Sequence, residues 1–144
     1  MAIYVLDTSA VLAFLKNEPG EERVNELLEA ARGDSETRIL LPFMTLMEVE
    51  YQGMRSTERE RADYWVDVVL GWPVELVESS PRWRLVASRV KSQGGLSLGD
   101  SWVASLALMN EAELIHKDPE FDQVDGLQAI RLPYDRDTRR GNRG

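Results

Sequence analysis

An α/β domain, built on an open parallel β-sheet of about five strands with helices on both faces, is the fold class this sequence predicts. Three observations lead to it. Short apolar runs lack polar alternation, as expected of strands covered on both sides. Each run is followed by residues with helical spacing, and alternation of strand and helix implies parallel pairing. At 144 residues, with 43% hydrophobic and 29% charged residues, the chain suits one soluble domain with a sizeable core.

The elements follow in order. Ile3-Tyr4-Val5-Leu6 reads as the first strand. Asp7-Thr8-Ser9 offers capping groups for a helix through Ala10, Val11, Phe14 and Leu15, which Asn17, Pro19 and Gly20 end. A second helix is expected from Glu21 to about Arg32, with Gly33 as its stop. Arg38 to Leu41 gives the second strand, and the stretches from Met44 to Met54 and from about Thr57 to Leu70 give a helical pair. Val74 to Val77 is the third strand. After Ser79-Ser80-Pro81 comes a helix carrying Trp83, Val86, Ala87 and Val90, and Ser97 opens a longer one that reaches about Asn110. Leu114-Ile115 marks the fourth strand and Leu127 to Leu132 the fifth, separated by Lys117-Asp118-Pro119 and a short helix through Phe121. Residues 1–134 are expected to form the domain and residues 135–144 an Arg-rich tail.

Composition removes several chemistries. The chain has no cysteine and a single histidine, His116, which excludes disulfide scaffolds, thiol catalysis and zinc sites built on cysteine or paired histidines. No apolar run is long enough to span a membrane and no secretory signal opens the chain, so the expected location is cytoplasmic. The net charge of −8 argues against coating nucleic acid by charge alone. It is uneven: residues 131–144 hold Arg131, Arg136, Arg139, Arg140 and Arg143 against Asp135 and Asp137, so they carry +3 while residues 1–130 carry −11. The tail reads either as a solvated end or as a nucleic-acid arm.

Four acids, Asp7, Glu48, Asp100 and Asp118, fall at strand ends or helix starts, where open parallel sheets bind ligands. Each has a structural alternative. Asp7 follows the first strand and has the position of a helix cap, although Thr8 or Ser9 could cap in its place and leave it free. Glu48 lies in an apolar helical stretch, with Glu50 as a rival that spacing does not separate from it. Asp100 ends Ser97-Leu98-Gly99-Asp100, which has the form of a capping box. Asp118 precedes a proline and suits a turn, with Glu120 and Asp122 close enough to substitute. Convergence of the four would make a carboxylate pocket without a built-in counter-charge, best matched by the hard cations Mg²⁺ or Mn²⁺.

The segments Tyr4-Val5-Leu6-Asp7-Thr8-Ser9-Ala10, Leu46-Met47-Glu48-Val49-Glu50-Tyr51, Leu96-Ser97-Leu98-Gly99-Asp100-Ser101-Trp102-Val103-Ala104 and His116-Lys117-Asp118-Pro119-Glu120-Phe121, in this order, resemble the PIN-domain family. Within it the chain looks most like the stand-alone VapC-type toxins. The resemblance implies a PIN-like fold, Mg²⁺- or Mn²⁺-dependent endoribonuclease activity on an RNA substrate, inhibition by a cognate antitoxin protein, and a homodimer. It implies that Asp7, Glu48, Asp100 and Asp118 are catalytic metal ligands, that Glu48 is chosen over Glu50, and that Thr8 and Ser9 support the acids. His116 stands where the family often has threonine, and Asp118 matches the family's least constant acid.

Two other readings compete with a metal-dependent ribonuclease. A phosphatase using Asp7 as nucleophile would usually carry a second aspartate two positions on, where this chain has Ser9. A non-catalytic interaction module would use the acids as caps, with Trp65, Trp72 and Trp83 as core or as a partner seam. Basic residues such as Lys16, Arg55, Arg59 and the tail could meet RNA phosphates or lie on solvated helix surface.

Overall fold

The computed structural model describes residues 1–34, 36–56 and 60–134. Five parallel strands, β1 (Ala2–Leu6), β2 (Thr37–Pro42), β3 (Glu75–Val77), β4 (Glu113–His116) and β5 (Gln128–Arg131), form one open sheet in the order β3-β2-β1-β4-β5. Connections run outward from β1 on one side and then cross to β4 on the other. The carboxyl ends of β1 and β4 are therefore the switch in strand order, where a crevice opens.

Six α-helices cover the sheet among the described residues: α1 (Thr8–Leu15), α2 (Glu21–Gly33), α3 (Phe43–Met54), α4 (Glu60–Leu70), α5 (Pro81–Gln93) and α6 (Leu98–Asn110). A 3₁₀ turn, Pro119–Gln123, follows β4. The expected order of elements holds, with small shifts. β3 begins at Glu75 instead of Val74, and α3 begins at Phe43, directly after Pro42 ends β2. The expected helix start at Thr57 and the Arg-rich tail 135–144 lie outside the described residues; Arg131, which precedes the tail, ends β5.

Strand alternation divides the core in two. Leu6, Ile39, Leu41 and Ile115 point to the layer of α1, α2 and α4, where they meet Val11, Leu28, Trp65 and Val69. Val5, Leu40 and Leu114 point to the opposite layer, where they meet Trp83, Val103, Leu106 and Phe121. Both faces are thus buried, which explains the unbroken apolar runs of β1 and β4. Trp65, Trp72 and Trp83 are all buried and belong to the core. Trp83 packs edge-on against Phe43 and Trp102, and its indole N–H donates to Ser105 Oγ at 2.8 Å and to the Trp102 carbonyl at 2.9 Å.

Helices α3 and α4 approach closely because Gly53 has no side chain: a Cβ there would stand 2.5 Å from Ala62 Cα. That contact is backbone and cannot rotate away. Gly53→Ala is therefore expected to destabilise the domain by about 1–3 kcal/mol through overpacking. Gly99→Ala, whose Cβ meets nothing within 4 Å, is expected to be neutral or slightly stabilising. Urea denaturation of both variants checks the contrast.

Candidate metal centre

Asp7 closes β1 and caps α1. Its backbone N–H donates to the Ile115 carbonyl at 3.0 Å, which fixes it beside the end of β4. Its Oδ2 accepts the Ser9 N–H at 3.1 Å and the Ser9 hydroxyl. Of the two alternatives for the cap, the structure has Asp7 itself, and neither Thr8 nor Ser9 takes its place. Capping uses one oxygen and leaves Oδ1 without a hydrogen-bond partner among the described residues. Ser9 Oγ also accepts the Lys117 N–H at 3.0 Å, tying α1 to the segment after β4.

Glu48 enters from the middle of α3. Thr8 donates its hydroxyl to Glu48 Oε1 at 2.8 Å across 40 residues of sequence. Glu50 makes no side-chain hydrogen bond or ion pair among the described residues. Asp100 lies in the first turn of α6, where its N–H donates to the Ser97 Oγ cap at 3.1 Å. Asp118 follows β4 and caps the 3₁₀ turn, with Oδ1 accepting the Glu120 N–H at 2.9 Å. Carboxylate oxygens of Asp100, Asp118 and Glu120 lie within 4.8 Å of one another. The two rivals weighed for the Asp118 region therefore part: Glu120 joins the group, whereas Asp122 pairs with Arg131 at 3.3 Å.

The acids feel one another. Burial, with Glu48 and Asp118 nearby, pushes Asp7 up to about 6 even though Ser9 opposes the rise. Burial together with the charges of Asp7 and Asp118 pushes Asp100 up to about 6 as well. Burial also raises Glu48, with Thr8 opposing and Asp100 adding to the rise. Among the described residues no cationic group pairs with Asp7, Glu48, Asp100, Asp118 or Glu120. Of the four expected acids, Asp100 and Asp118 thus meet at ligand distance, together with Glu120, while Asp7 and Glu48 lie within electrostatic reach of them. Their oxygen-only donor set and open valences fit a hard divalent cation and not a soft one.

His116 is fully buried at the end of β4, its ring 4.9 Å from that of Phe121, and its Nδ1 accepts the Asp118 N–H at 3.0 Å. Burial holds its imidazole below the usual histidine range. Next to Glu48 lies an apolar hollow of about 380 Å³ lined by Phe43, Met44, Met47, Tyr51, Leu98 and Trp102. At the far ends of α1 and α3, Lys16, Arg55 and Arg61 border a groove of about 580 Å³ with Trp65. Arg59, also considered for RNA contact, lies outside the described residues.

The PIN domain family matches residues 4–127. The chain belongs to the PIN-domain family. Among solved structures, this PIN domain is similar to VapBC2 of Rickettsia felis, crystallised bound to a promoter DNA fragment, with TM-score 0.75 and 19% identity over 91% of this chain and 99% of that one. It is similar to VapBC-1 of nontypeable Haemophilus influenzae, with TM-score 0.69 and 26% identity over 90% and 97% of the two chains. It is also similar to Mycobacterium tuberculosis VapC20, described as a sarcin–ricin loop cleaving toxin, with TM-score 0.67 and 15% identity over 92% and 100%. No curated protein matches the chain in sequence. Among the described residues no helix is long and apolar enough to cross a membrane.

The raised acids of this PIN domain make a stability prediction with a definite sign. For Asp7 the folded value of about 6 lies above the ordinary 3.8, so the folded state holds the proton more tightly. Its ionisation then costs stability as pH rises from about 4 to about 6, and the full cost is present above that. The rise from 3.8 to about 6 corresponds to roughly 3 kcal/mol at most. Asp7→Asn keeps a capping oxygen and removes the charge. The metal-free variant is expected to be more stable than wild type by about 1–3 kcal/mol at pH 7.5, with the gain vanishing near pH 4. Urea titrations at the two pH values measure it, and equal or lower stability at pH 7.5 would count against a buried, unpaired charge.

Proposed function

We propose that this chain is a Mg²⁺- or Mn²⁺-dependent endoribonuclease, the toxin of a type II toxin–antitoxin pair, hydrolysing RNA phosphodiester bonds with metal-activated water. The observation that carries this reading is an acid cluster, Asp100, Asp118 and Glu120, within electrostatic reach of Asp7 and Glu48 and without a cationic partner among the described residues. Membership of the PIN family and similarity to VapC structures support it.

In this reading Asp7, Glu48, Asp100 and Asp118 hold the cation, with Asp7 and Asp100 as its firmest ligands. The chain's hydrogen bonds prepare them for that task. Thr8 occupies one oxygen of Glu48, Ser9 one of Asp7, and the Glu120 N–H one of Asp118. Among the described residues the second oxygen of each accepts no hydrogen bond, which leaves it available to a cation. When bound, Mg²⁺ or Mn²⁺ supplies positive charge that offsets carboxylate repulsion, favours ionisation of an attacking water and stabilises charge developing on the phosphate. Because Asp7 and Asp100 must give up protons held to about pH 6, cation affinity falls as pH drops through 6.

RNA approaches an acidic protein here through the bound cation and through Lys16 and Arg55, which sit roughly two helical turns from the acids along α1 and α3. The exposed Met47 and Leu98 beside Glu48 form an apolar rim suited to a protein partner, the antitoxin or a second copy of the chain. The domain proposed for this activity spans residues 1–134, followed by the Arg-rich segment 135–144.

Cleavage of single-stranded RNA with Mg²⁺ or Mn²⁺ tests the proposal. Asp7→Asn and Asp100→Asn are each expected to lower the rate by at least ~100-fold, Glu50→Gln is expected to leave it near wild type, and EDTA is expected to abolish it. Unchanged cleavage in both aspartate variants, or activity in EDTA, would overturn the mechanism. If Mn²⁺ bound no more tightly to wild type than to an Asp7→Ala, Asp100→Ala double variant, the chain would instead be an interaction module.

A further inference from the structure

We propose that His116 is a positioning residue for the Asp118–Glu120 limb of the pocket, acting through an imidazole Nδ1 that accepts the Asp118 N–H. The inference rests on the reading of the acids as a cation site and concerns what holds two of them in place.

His116 is the last residue of β4 and fully buried. Its carbonyl accepts the Leu132 N–H at 2.7 Å, so the neighbouring strand fixes its backbone, and its ring stands edge-on to Phe121. Because Asp118 donates to Nδ1 at 3.0 Å, Nδ1 carries no proton and the ring proton belongs to Nε2. Nε2 has no partner among the described residues. An orphaned buried N–H opposes folding, so an apolar side chain would fill this space better if packing were the only demand. What the imidazole provides in return is a single acceptor, aimed at the backbone of a pocket acid.

That acceptor begins a relay. His116 takes the N–H of Asp118, two residues on, and Asp118 Oδ1 takes the N–H of Glu120, two residues further. The intervening Lys117 N–H goes to Ser9 Oγ, the same hydroxyl that donates to Asp7. Three backbone donors after β4 are thereby held by side chains. The outcome is a loop that brings Asp118 and Glu120 within 4.8 Å of Asp100. Without the Nδ1 acceptor, the Asp118 N–H would lose its partner and the first turn of the relay would have no anchor.

His116→Thr and His116→Val form the test, since the two replacements have nearly the same shape. Both delete the ring, its contact with Phe121 and the orphaned Nε2–H. Only threonine keeps an oxygen able to accept an N–H two residues ahead. Mn²⁺ affinity by calorimetry is expected to be about tenfold weaker in His116→Val than in His116→Thr. In the metal-free proteins the Asp118 amide is expected to exchange faster in the valine variant, while the two urea midpoints stay close. Equal Mn²⁺ affinity in the two variants would overturn the assignment and leave the cation site standing. Failure of wild type to bind Mn²⁺ would overturn both. If neither replacement folds, His116→Asn, which keeps an acceptor at the same branch point, is compared with His116→Leu under the same criteria.

Discussion

The parallel pairing of β1 with β4 is the constraint on which the carboxyl edge of the sheet depends. Strand β1 is central, flanked by β2 on one side and β4 on the other, and the chain reverses its direction of progress there. The Asp7 N–H bonds the Ile115 carbonyl as the last rung between the two strands. Beyond that rung both chains leave the sheet at nearly the same point, one into α1 and the other into the 3₁₀ turn. Ser9 Oγ then bridges them through Lys117 N–H. A one-residue slip of β4 would turn its apolar set, Leu114 and Ile115, to the wrong faces. It would also carry Asp118 away from Asp7. Core burial and placement of the acids are set by the same register.

The cost of this arrangement falls on the carboxylates. Water would solvate four separate acids readily, but the fold removes much of that water from Asp7 and sets Glu48, Asp100 and Asp118 within electrostatic reach. Hydrogen bonds from Ser9 and Thr8 recover part of the loss and do not cancel it. A protein selected for stability alone would place an arginine or a lysine here, or replace an acid with an amide. The unrelieved repulsion is concentrated at the switch in strand order, the location where open parallel sheets take ligands. Local conflict at an otherwise consistent fold is the pattern of a site kept for use.

Much of this was legible in the sequence, for identifiable physical reasons. β1 and β4 could be read because burial on both faces leaves an uninterrupted apolar run, and α6 because Ser97 announces its start. Pairings across long sequence distance could not be read. Nothing local couples Thr8 to Glu48, and helical spacing treats Glu48 and Glu50 alike. The opposition of cap against ligand at Asp7 was too strict, since a carboxylate has two oxygens and can give one to Ser9 while keeping the other. Glu120 could be considered but not preferred to Asp122, because the choice depends on Arg131 arriving from β5 to pair with Asp122. The tryptophans went to the core because each has a large apolar area and a specific slot, as the edge-on cluster around Trp83 illustrates.

Two cations adjoin the acidic loop after β4. Lys117 is adjacent to Asp118 in sequence and largely buried, so it is the natural candidate for an internal counter-charge. Its ammonium instead pairs with Glu18 at 3.5 Å, while its backbone N–H serves Ser9. Arg131 lies opposite His116 in the β4–β5 register, yet its guanidinium goes to Asp122. In each case an acid outside the group binds the nearby base and removes it from competition. Glu18 and Asp122 therefore matter to the pocket without belonging to it. By committing Lys117 and Arg131 elsewhere, they preserve the negative potential that would draw in a divalent cation.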